Sequence, residues 1–253
     1  MSKKPTFEQE SRADPETGTL YGVGVGPGDP GLVTVRAVEI IQSVVTVAYP
    51  VHRQGAGSRA LEAVRRYLRD GTALLPLLMP MTRDRERLRQ AHAAAAAELA
   101  AAGGSGSVAY LSLGDPLFYS TFAYLAGGYP GSVRMISGVS AVSATAAAAG
   151  LPLATGDTPM VVVSGADTAG LRAALGMAGA SIIIIKPRAL KAAAFDLLDA
   201  AGVWQRTCAA VELGGEDERV INPLDRREAE RLPYFAVIWV QPPVETEEAS
   251  GSA

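Results

Sequence analysis

The sequence predicts an α/β protein built from two domains. Its 253 residues are more than one hydrophobic core usually serves. Apolar runs of strand length alternate with amphipathic helical patterns, which is typical of βαβ units and a largely parallel sheet. The segment GLPLATGDTP (150–159) interrupts this alternation with glycine and proline. We therefore expect an N-terminal domain over residues 18–152 and a C-terminal domain over residues 153–242.

In the N-terminal domain, strands are predicted from apolar runs and helices from apolar residues three or four positions apart. The helix at 58–69, for example, places Leu61, Val64 and Leu68 on one face. Asp29 as N-cap and Pro30 at the first position are typical of a helix start. The predicted elements in chain order are strand 20–26, helix 30–42, strand 44–49, helix 58–69, strand 73–78, helix 84–102, strand 108–113, helix 119–126, strand 133–136 and helix 139–149.

The C-terminal domain has the same alternation but more antiparallel character. Two short apolar runs are separated by GGED and are predicted to form a hairpin. The predicted strands are 160–164, 181–185, 208–213, 219–221 and 234–240. The predicted helices are 168–177, 188–201 and 223–231. Residues 1–17 and 243–253 are polar, with few large apolar residues, and are predicted to be disordered tails.

Composition excludes several classes of protein. The net charge of −3 lacks the basic excess of a nucleic-acid binder. The single cysteine, Cys208, cannot form a disulfide within the chain or a cysteine zinc cluster, which suits a reducing cytoplasm. The two histidines, His52 and His92, are too few for a histidine-based metal site. The polar N-terminus and the lack of a long apolar run predict no leader peptide and no membrane span.

The first candidate loop is GVGVGPGDPG (22–31). Gly26, Gly28 and Gly31 fit the G-x-G-x-x-G pattern of a nicotinamide-binding turn. Prolines at 27 and 30 stiffen this loop, and the acidic residue expected about 20 positions later is absent. The helix start is therefore the favoured interpretation of the loop, and a nicotinamide-binding turn is the alternative.

The second candidate loop is SLGDPLFYST (112–121), which follows a predicted buried strand. Gly114 permits a turn, Asp115 can accept hydrogen bonds, and Pro116 ends the strand. Alone, this is a strand-to-helix turn. A second Gly-x-Gly-Asp-Pro run at 26–30 also ends a strand, and ligands of open parallel sheets bind beyond such ends. The pair therefore predicts a ligand-binding floor.

Two further groups complete the candidate site. The third loop, in SGVSAVSATAAAAG (137–150), presents Ser140 at a helix start, where polar ligand groups bind well. His52 and Arg53 follow one predicted strand and Lys186 follows another, and such side chains suit a carboxylate-rich ligand. For each of these cations, ordinary solvated surface charge is the alternative.

Three segments together resemble the tetrapyrrole (corrin/porphyrin) methylases. They are LYGVGVGPGDPGLVTVRAVEIIQSVVTVAYP, VAYLSLGDPLFYST and SGVSAVSATAAAAGLPL. The resemblance covers residues 18–240 and implies the class III methyltransferase fold, with two α/β domains and S-adenosylmethionine in the cleft between them. Ser137-Gly138 stands where the family usually has Pro-Gly, and VVVSGAD (161–167) stands where relatives tend to have a proline-containing segment.

The resemblance also implies roles for individual residues. His52, Arg53 and Lys186 would bind the substrate, and no catalytic base is assigned. The residues implied to surround the methyl donor are Pro27, Leu113, Gly114, Asp115, Phe118, Ser120, Thr121, Ser140, Ala141 and Gly214.

Within the family, AYPV, PMTRD and GDPLFYSTF resemble the enzymes that methylate precorrin-2 at C-20. The expected activity is thus formation of precorrin-3A in cobalamin biosynthesis, by a homodimer. Methylation of another ring position, of uroporphyrinogen III, or of a protein in diphthamide synthesis remains open. A nicotinamide oxidoreductase and a non-catalytic binding module are the alternatives from other classes.

Overall fold

A computed structural model describes residues 18–82 and 84–243. The predicted tail at 1–17 and all but the first residue of the tail at 243–253 lie outside this range. The described chain divides after Ala141 into two compact units. The domain boundary placed between residues 152 and 153 stays a prediction.

The first unit contains a five-stranded sheet in which every neighbouring pair is parallel. The strand order is β3-β2-β4-β1-β5, so β1 lies between β4 and β5. The strands are β1 (Leu20–Gly24), β2 (Thr46–Val51), β3 (Ala73–Leu78), β4 (Val108–Ser112) and β5 (Val133–Ile136). The predicted parallel βαβ organisation is therefore confirmed.

The central strands β1 and β4 are buried on both faces of the sheet, since every residue of each strand is buried and successive residues point to opposite sides. Tyr21 and Val23 of β1 pack in one core with residues of the helices at 35–43 and 59–64. Leu20 packs in a second core with residues of the helices at 85–103 and 122–126. Gly22, which follows Tyr21 in β1, leaves room for the Phe122 ring. A Cβ at Gly22 would lie only 2.3 Å from that ring. The helices of this unit are α1 (Val35–Ser43), α2 (Arg59–Val64), α3 (Arg85–Gly103) and α4 (Phe122–Ala126). The next helix, α5 (Ala141–Ala149), belongs to the second unit except for its first residue.

The largest differences from the predicted elements of this unit lie at the starts of two helices. The single helix at 30–42 is wrong: Asp29 caps only a 3-10 turn (Pro30–Leu32), and the extended Val33 follows it. Thr34 then caps α1, with its hydroxyl accepting from the Ala37 N–H at 3.1 Å. The helix predicted from 119 begins at Phe122, since Tyr119 has a φ of 55° and cannot continue a right-handed helix.

The second unit contains a mixed sheet of order β6-β7-β10-β8-β9. Strands β6 and β7 are parallel, whereas β10 runs antiparallel to both of its neighbours. Strands β8 and β9 form the antiparallel pair predicted across GGED. The strands are β6 (Met160–Ser164), β7 (Ser181–Ile185), β8 (Thr207–Val211), β9 (Arg219–Ile221) and β10 (Ala236–Val240).

After α5, the helices of the second unit are α6 (Thr168–Leu175), α7 (Ala192–Ala200) and α8 (Arg226–Ala229). The single helix predicted at 188–201 is wrong, because a separate 3-10 turn (Pro187–Ala189) follows the left-handed Lys186. The helix predicted at 223–231 is shorter, since Asp225 caps it by accepting from the Glu228 N–H at 2.7 Å. Within the described residues, none of the helices is both long and apolar enough to cross a membrane.

Candidate functional site

Three loops meet at the carboxyl edge of the first sheet. Strands β4, β1 and β5 are adjacent and parallel, so the loops that follow them leave the same edge. These loops contain residues 25–30, 113–121 and 137–140. The structure thus brings both Gly-Asp-Pro runs to neighbouring positions, where open parallel sheets bind ligands.

The first two loops are joined through their glycines. The Gly114 N–H donates to the Gly26 carbonyl at 2.7 Å, and the Gly26 N–H donates to the Gly114 carbonyl at 3.3 Å. Both residues lie in the left-handed region, with φ of 73° at Gly26 and 80° at Gly114. A side chain would strain either turn, so glycine is required for this pairing.

The third loop lies directly against the other two. A Cβ at Gly138 would lie 2.4 Å from the Gly114 carbonyl oxygen, and one at Gly24 would lie 2.6 Å from the Gly138 nitrogen. Real Cβ atoms do not approach backbone so closely, so no side chain fits at either position. The floor of the candidate site is therefore packed backbone.

The Asp115 carboxylate fixes this arrangement. Its Oδ1 accepts from the Leu117 N–H at 2.7 Å, within its own turn. Its Oδ2 accepts from the Ser137 hydroxyl at 2.5 Å and from the Gly138 N–H at 3.2 Å. The carboxylate thus links the second and third loops. Sequence reasoning found Asp115 but gave Ser137 no role, although its position directly after β5 was a usable signal.

The remaining predicted residues of the second loop differ in exposure. Leu113 is half-buried, while Phe118 and the neighbouring Tyr119 are exposed with their rings in a T-shaped contact. The Ser120 hydroxyl lies 2.8 Å from that of the buried Ser112 and accepts from the Phe122 N–H at 3.1 Å. Ser120 therefore anchors the start of α4, and the half-buried Thr121 precedes that helix.

Ser140 and Ala141 lie where the third loop enters α5, and both are half-buried. The Gly114 position faces this helix start: the nearest atom that a Cβ there would meet is the Ala141 nitrogen, at 3.8 Å. Pro27, in the first loop, is buried. The structure thus brings the three loops that contain the predicted residues to one edge of the sheet, with Gly114 beside the start of α5.

The predicted cations lie at strand ends. His52 and Arg53 are exposed directly after β2, which neighbours β4, so they lie at the same edge as the three loops. His92, in α3, instead stacks on Tyr124 with ring centroids 5.2 Å apart, and burial lowers the pKa of its imidazole. Across residues 18–82 and 84–243, no group of three or more His, Cys, Asp or Glu side chains could hold a metal ion.

In the second unit, Lys186 and Gly214 follow β7 and β8, which flank β10 and end at one edge of that sheet. Lys186 is exposed and left-handed, with φ of 55°. The Gly214 N–H donates to the Glu218 carboxylate at 2.6 Å, so its own loop already uses this donor.

Comparisons with known proteins give concordant matches. The model of the family described as Tetrapyrrole (Corrin/Porphyrin) Methylases matches residues 19–226. The chain is 37% identical over 147 residues to a probable cobalt-precorrin-2 C(20)-methyltransferase of Methanocaldococcus jannaschii, covering 57% of this chain and 63% of that relative. It is 32% identical to a precorrin-2 C(20)-methyltransferase of Sinorhizobium sp, covering 88% of this chain and 95% of that relative.

The fold is also shared with solved structures. One is uroporphyrin-III C-methyltransferase from Thermus thermophilus complexed with S-adenosylhomocysteine. It has a TM-score of 0.59 and 20% identity, and the match covers 87% of this chain and 96% of that one. At this identity the likeness supports the fold alone.

Proposed function

This chain belongs to the tetrapyrrole (corrin/porphyrin) methylases, and from that premise we propose that it methylates precorrin-2 at C-20 to give precorrin-3A in cobalamin biosynthesis. The observation that carries the proposal is the match over 88% of the chain to a relative named for that reaction. Uroporphyrinogen III and the other ring positions are not favoured, because the relatives at 32–37% identity are named for C(20) methylation, whereas the uroporphyrin-III C-methyltransferase structures are 20–23% identical.

The proposed methyl donor is S-adenosylmethionine, whose spent form is bound in that Thermus thermophilus relative. In this chain, the backbone of Gly114 lies beside the start of α5, and helix starts bind polar ligand groups well. We propose that the donor site is formed by residues of the three loops and the start of α5: Pro27, Leu113, Gly114, Asp115, Phe118, Ser120, Thr121, Ser140 and Ala141. The proposal for Gly214 rests on the resemblance.

S-adenosylmethionine supplies an activated sulfonium methyl group, which an electron-rich carbon of the reduced macrocycle can take in a single displacement. The task of the protein is to orient the two reactants, and such positioning can supply up to about 7–11 kcal/mol of barrier reduction. Packed glycine loops suit this task, because backbone groups can bind the donor without a side chain covering its methyl group. No side chain is assigned as a base for the proton that the macrocycle loses.

Precorrin-2 carries several carboxylates, which cationic side chains bind well. His52 and Arg53 are exposed at the same sheet edge as the loops, which supports their assignment to substrate binding. Lys186, exposed at a strand end of the second unit, is proposed for the same role from the resemblance.

The direct test offers the protein labelled S-adenosylmethionine with either precorrin-2 or cobalt-precorrin-2. We expect one labelled methyl group per macrocycle, with NMR placing it at C-20. Comparing the two substrates also shows whether cobalt is needed. A new methyl group at any other position would assign a different ring position to this chain, and no transfer to either substrate would refute the proposal.

Substitution of Arg53 tests whether this residue binds the substrate and not the methyl donor. We expect Arg53→Ala to raise the KM for the tetrapyrrole about tenfold, because a charge-assisted contact is lost, with S-adenosylhomocysteine affinity unchanged. Arg172→Ala, which removes an exposed arginine of α6, is the matched control. Equal losses in both affinities for Arg53→Ala would contradict the assignment.

We further propose that the enzyme is a cytoplasmic homodimer. The support is an apolar surface along the edge strand β3, where Leu74, Leu78 and Met81 are 43%, 45% and 59% exposed. Light scattering on the native chain and on a Leu74→Glu/Leu78→Glu variant tests the surface. We expect a dimer that the variant dissociates, and a native monomer would refute it. Fractionation of cells that naturally make the protein tests the cytoplasmic location.

A further inference from the structure

The Asp115 carboxylate connects two loops that are far apart in sequence. Its partners Ser137 and Gly138 lie 22 and 23 positions later in the chain, in the loop that follows β5. Its other oxygen accepts from Leu117 in its own turn. Both carboxylate oxygens therefore already accept hydrogen bonds from the protein.

The loops that Asp115 connects are adjacent to Gly24, at the end of the strand that lies between theirs. A Cβ at Gly24 would lie 2.6 Å from the Gly138 nitrogen and 2.9 Å from the Gly114 carbonyl oxygen. Glycines in such close contact have no side chains that interlock. The relative position of these loops therefore depends strongly on hydrogen bonds, and the Asp115 carboxylate accepts two of them from the third loop.

From these contacts, and resting on the proposed function, we infer that Asp115 and Ser137 are positioning residues for the methyl donor. Their hydrogen bonds hold residues 138–141 against Gly114, and the donor is bound by that held backbone and not by the Asp115 carboxylate. The ionised carboxylate suits this role, because it only accepts hydrogen bonds and its charge strengthens those from Ser137 and Gly138. Ser137 thereby affects the donor without touching it.

The alternative is that the Asp115 carboxylate binds the donor directly, through an ammonium group or a ribose hydroxyl. The two roles differ in what they require of Ser137. A direct ligand tolerates loss of the Ser137 hydroxyl, whereas a positioning pair does not. Because Ser137 is exposed, its substitution should leave the fold intact even if Asp115→Ala does not.

The first measurement is S-adenosylhomocysteine affinity by calorimetry. We expect Ser137→Ala to lose five- to tenfold, Ser137→Thr to stay within twofold of the native chain, and Asp115→Ala to lose more than tenfold. The double variant Asp115→Ala/Ser137→Ala should bind no more weakly than Asp115→Ala alone, because both substitutions break the same connection. Ser105→Ala, at the opposite end of β4, is the matched serine control and should change nothing.

The second measurement is hydrogen exchange of residues 137–141 without ligand. We expect faster exchange in Ser137→Ala and Asp115→Asn, and native exchange in Ser137→Thr and Ser105→Ala. Native affinity and exchange in Ser137→Ala, or losses that add in the double variant, would overturn the inference in favour of direct binding. If the native chain failed to bind S-adenosylhomocysteine, the proposed function would fail, and with it the role towards the donor. The exchange data would still show whether the loops are held.

Discussion

The loops at the carboxyl edges of the two sheets differ in which residues adopt the left-handed backbone conformation after the strands. In the first sheet, the first left-handed residues after β1 and β4 are glycines, Gly26 and Gly114, and the left-handed Tyr119 comes only later in the loop after β4. In the second sheet, the residues directly after β7 and β8 are Lys186 and Glu212, with φ of 55° and 54°. A left-handed conformation costs a non-glycine residue about 1–2 kcal/mol, whereas glycine adopts it freely.

This difference indicates what each edge presents to its surroundings. Glycines allow the loops of the first sheet to approach until backbone contacts backbone, so the surface offered there is made of amides and carbonyls. At the second edge, the same backbone turn carries charged side chains. Strained non-glycine residues persist where the surrounding structure holds them, and they cluster at functional sites.

The largest effect is expected at the packed glycines of the first edge. In Gly138→Ala, the new Cβ would lie 2.4 Å from the Gly114 carbonyl oxygen, so the loops must separate. We expect S-adenosylhomocysteine affinity to fall more than 100-fold and the free energy of unfolding to fall by about 1–3 kcal/mol. Gly127→Ala is the control, since a Cβ there meets nothing closer than 3.9 Å. Native affinity in Gly138→Ala, measured by calorimetry, would contradict the packed floor.

A moderate effect is expected from a charge cluster in the second unit, away from its strand-end loops. Arg226 contacts Asp199 and lies 3.0 Å from both Asp196 and Glu230. Hydrogen bonds from the Trp204 indole N–H and from Arg226 lower the pKa of Asp199. We expect Arg226→Ala to lower the unfolding temperature and to leave donor affinity unchanged.

That decrease should depend on pH and salt. Because the pKa of Asp199 is lower in the folded state, its stabilising contribution is present above the unfolded pKa, about 3.9, and is lost as pH falls through the folded pKa. The difference between the native chain and Arg226→Ala should therefore shrink in acid, and also at high salt. Thermal unfolding at pH 7 and pH 3 measures this, and an equal difference at both would contradict the ion-pair explanation.

The smallest effect is expected at the strained turn of the second edge. In Glu212→Gly, relief of the left-handed strain opposes the greater backbone entropy of glycine in the unfolded chain. We expect the free energy of unfolding to rise by no more than about 1 kcal/mol, because these two effects nearly cancel. Glu216→Gly, at an exposed position without positive φ, should be neutral or destabilising. If denaturant unfolding showed Glu212→Gly to be the less stable variant, the strain interpretation would be wrong.

Much of the fold could be predicted from local pattern. Strands 73–78, 133–136, 160–164, 181–185 and 219–221 have the predicted bounds, because apolar runs between turn residues specify them. The larger errors lie at helix starts. Asp29 and Thr34 are both good caps, and the pattern could not show that each begins a separate helical element. Likewise, nothing local predicts the left-handed Tyr119 or Lys186.

By itself, the sequence determined the alternation of elements, the hairpin in the second unit and the glycine positions where a loop could turn sharply. Only the tertiary structure decided which loops touch. Asp115 and Ser137 are 22 residues apart, and they meet because β1 inserts between β4 and β5 so that three loops leave one edge together. Strand order is set by the burial of both sheet faces as a whole, so short-range patterns do not encode it.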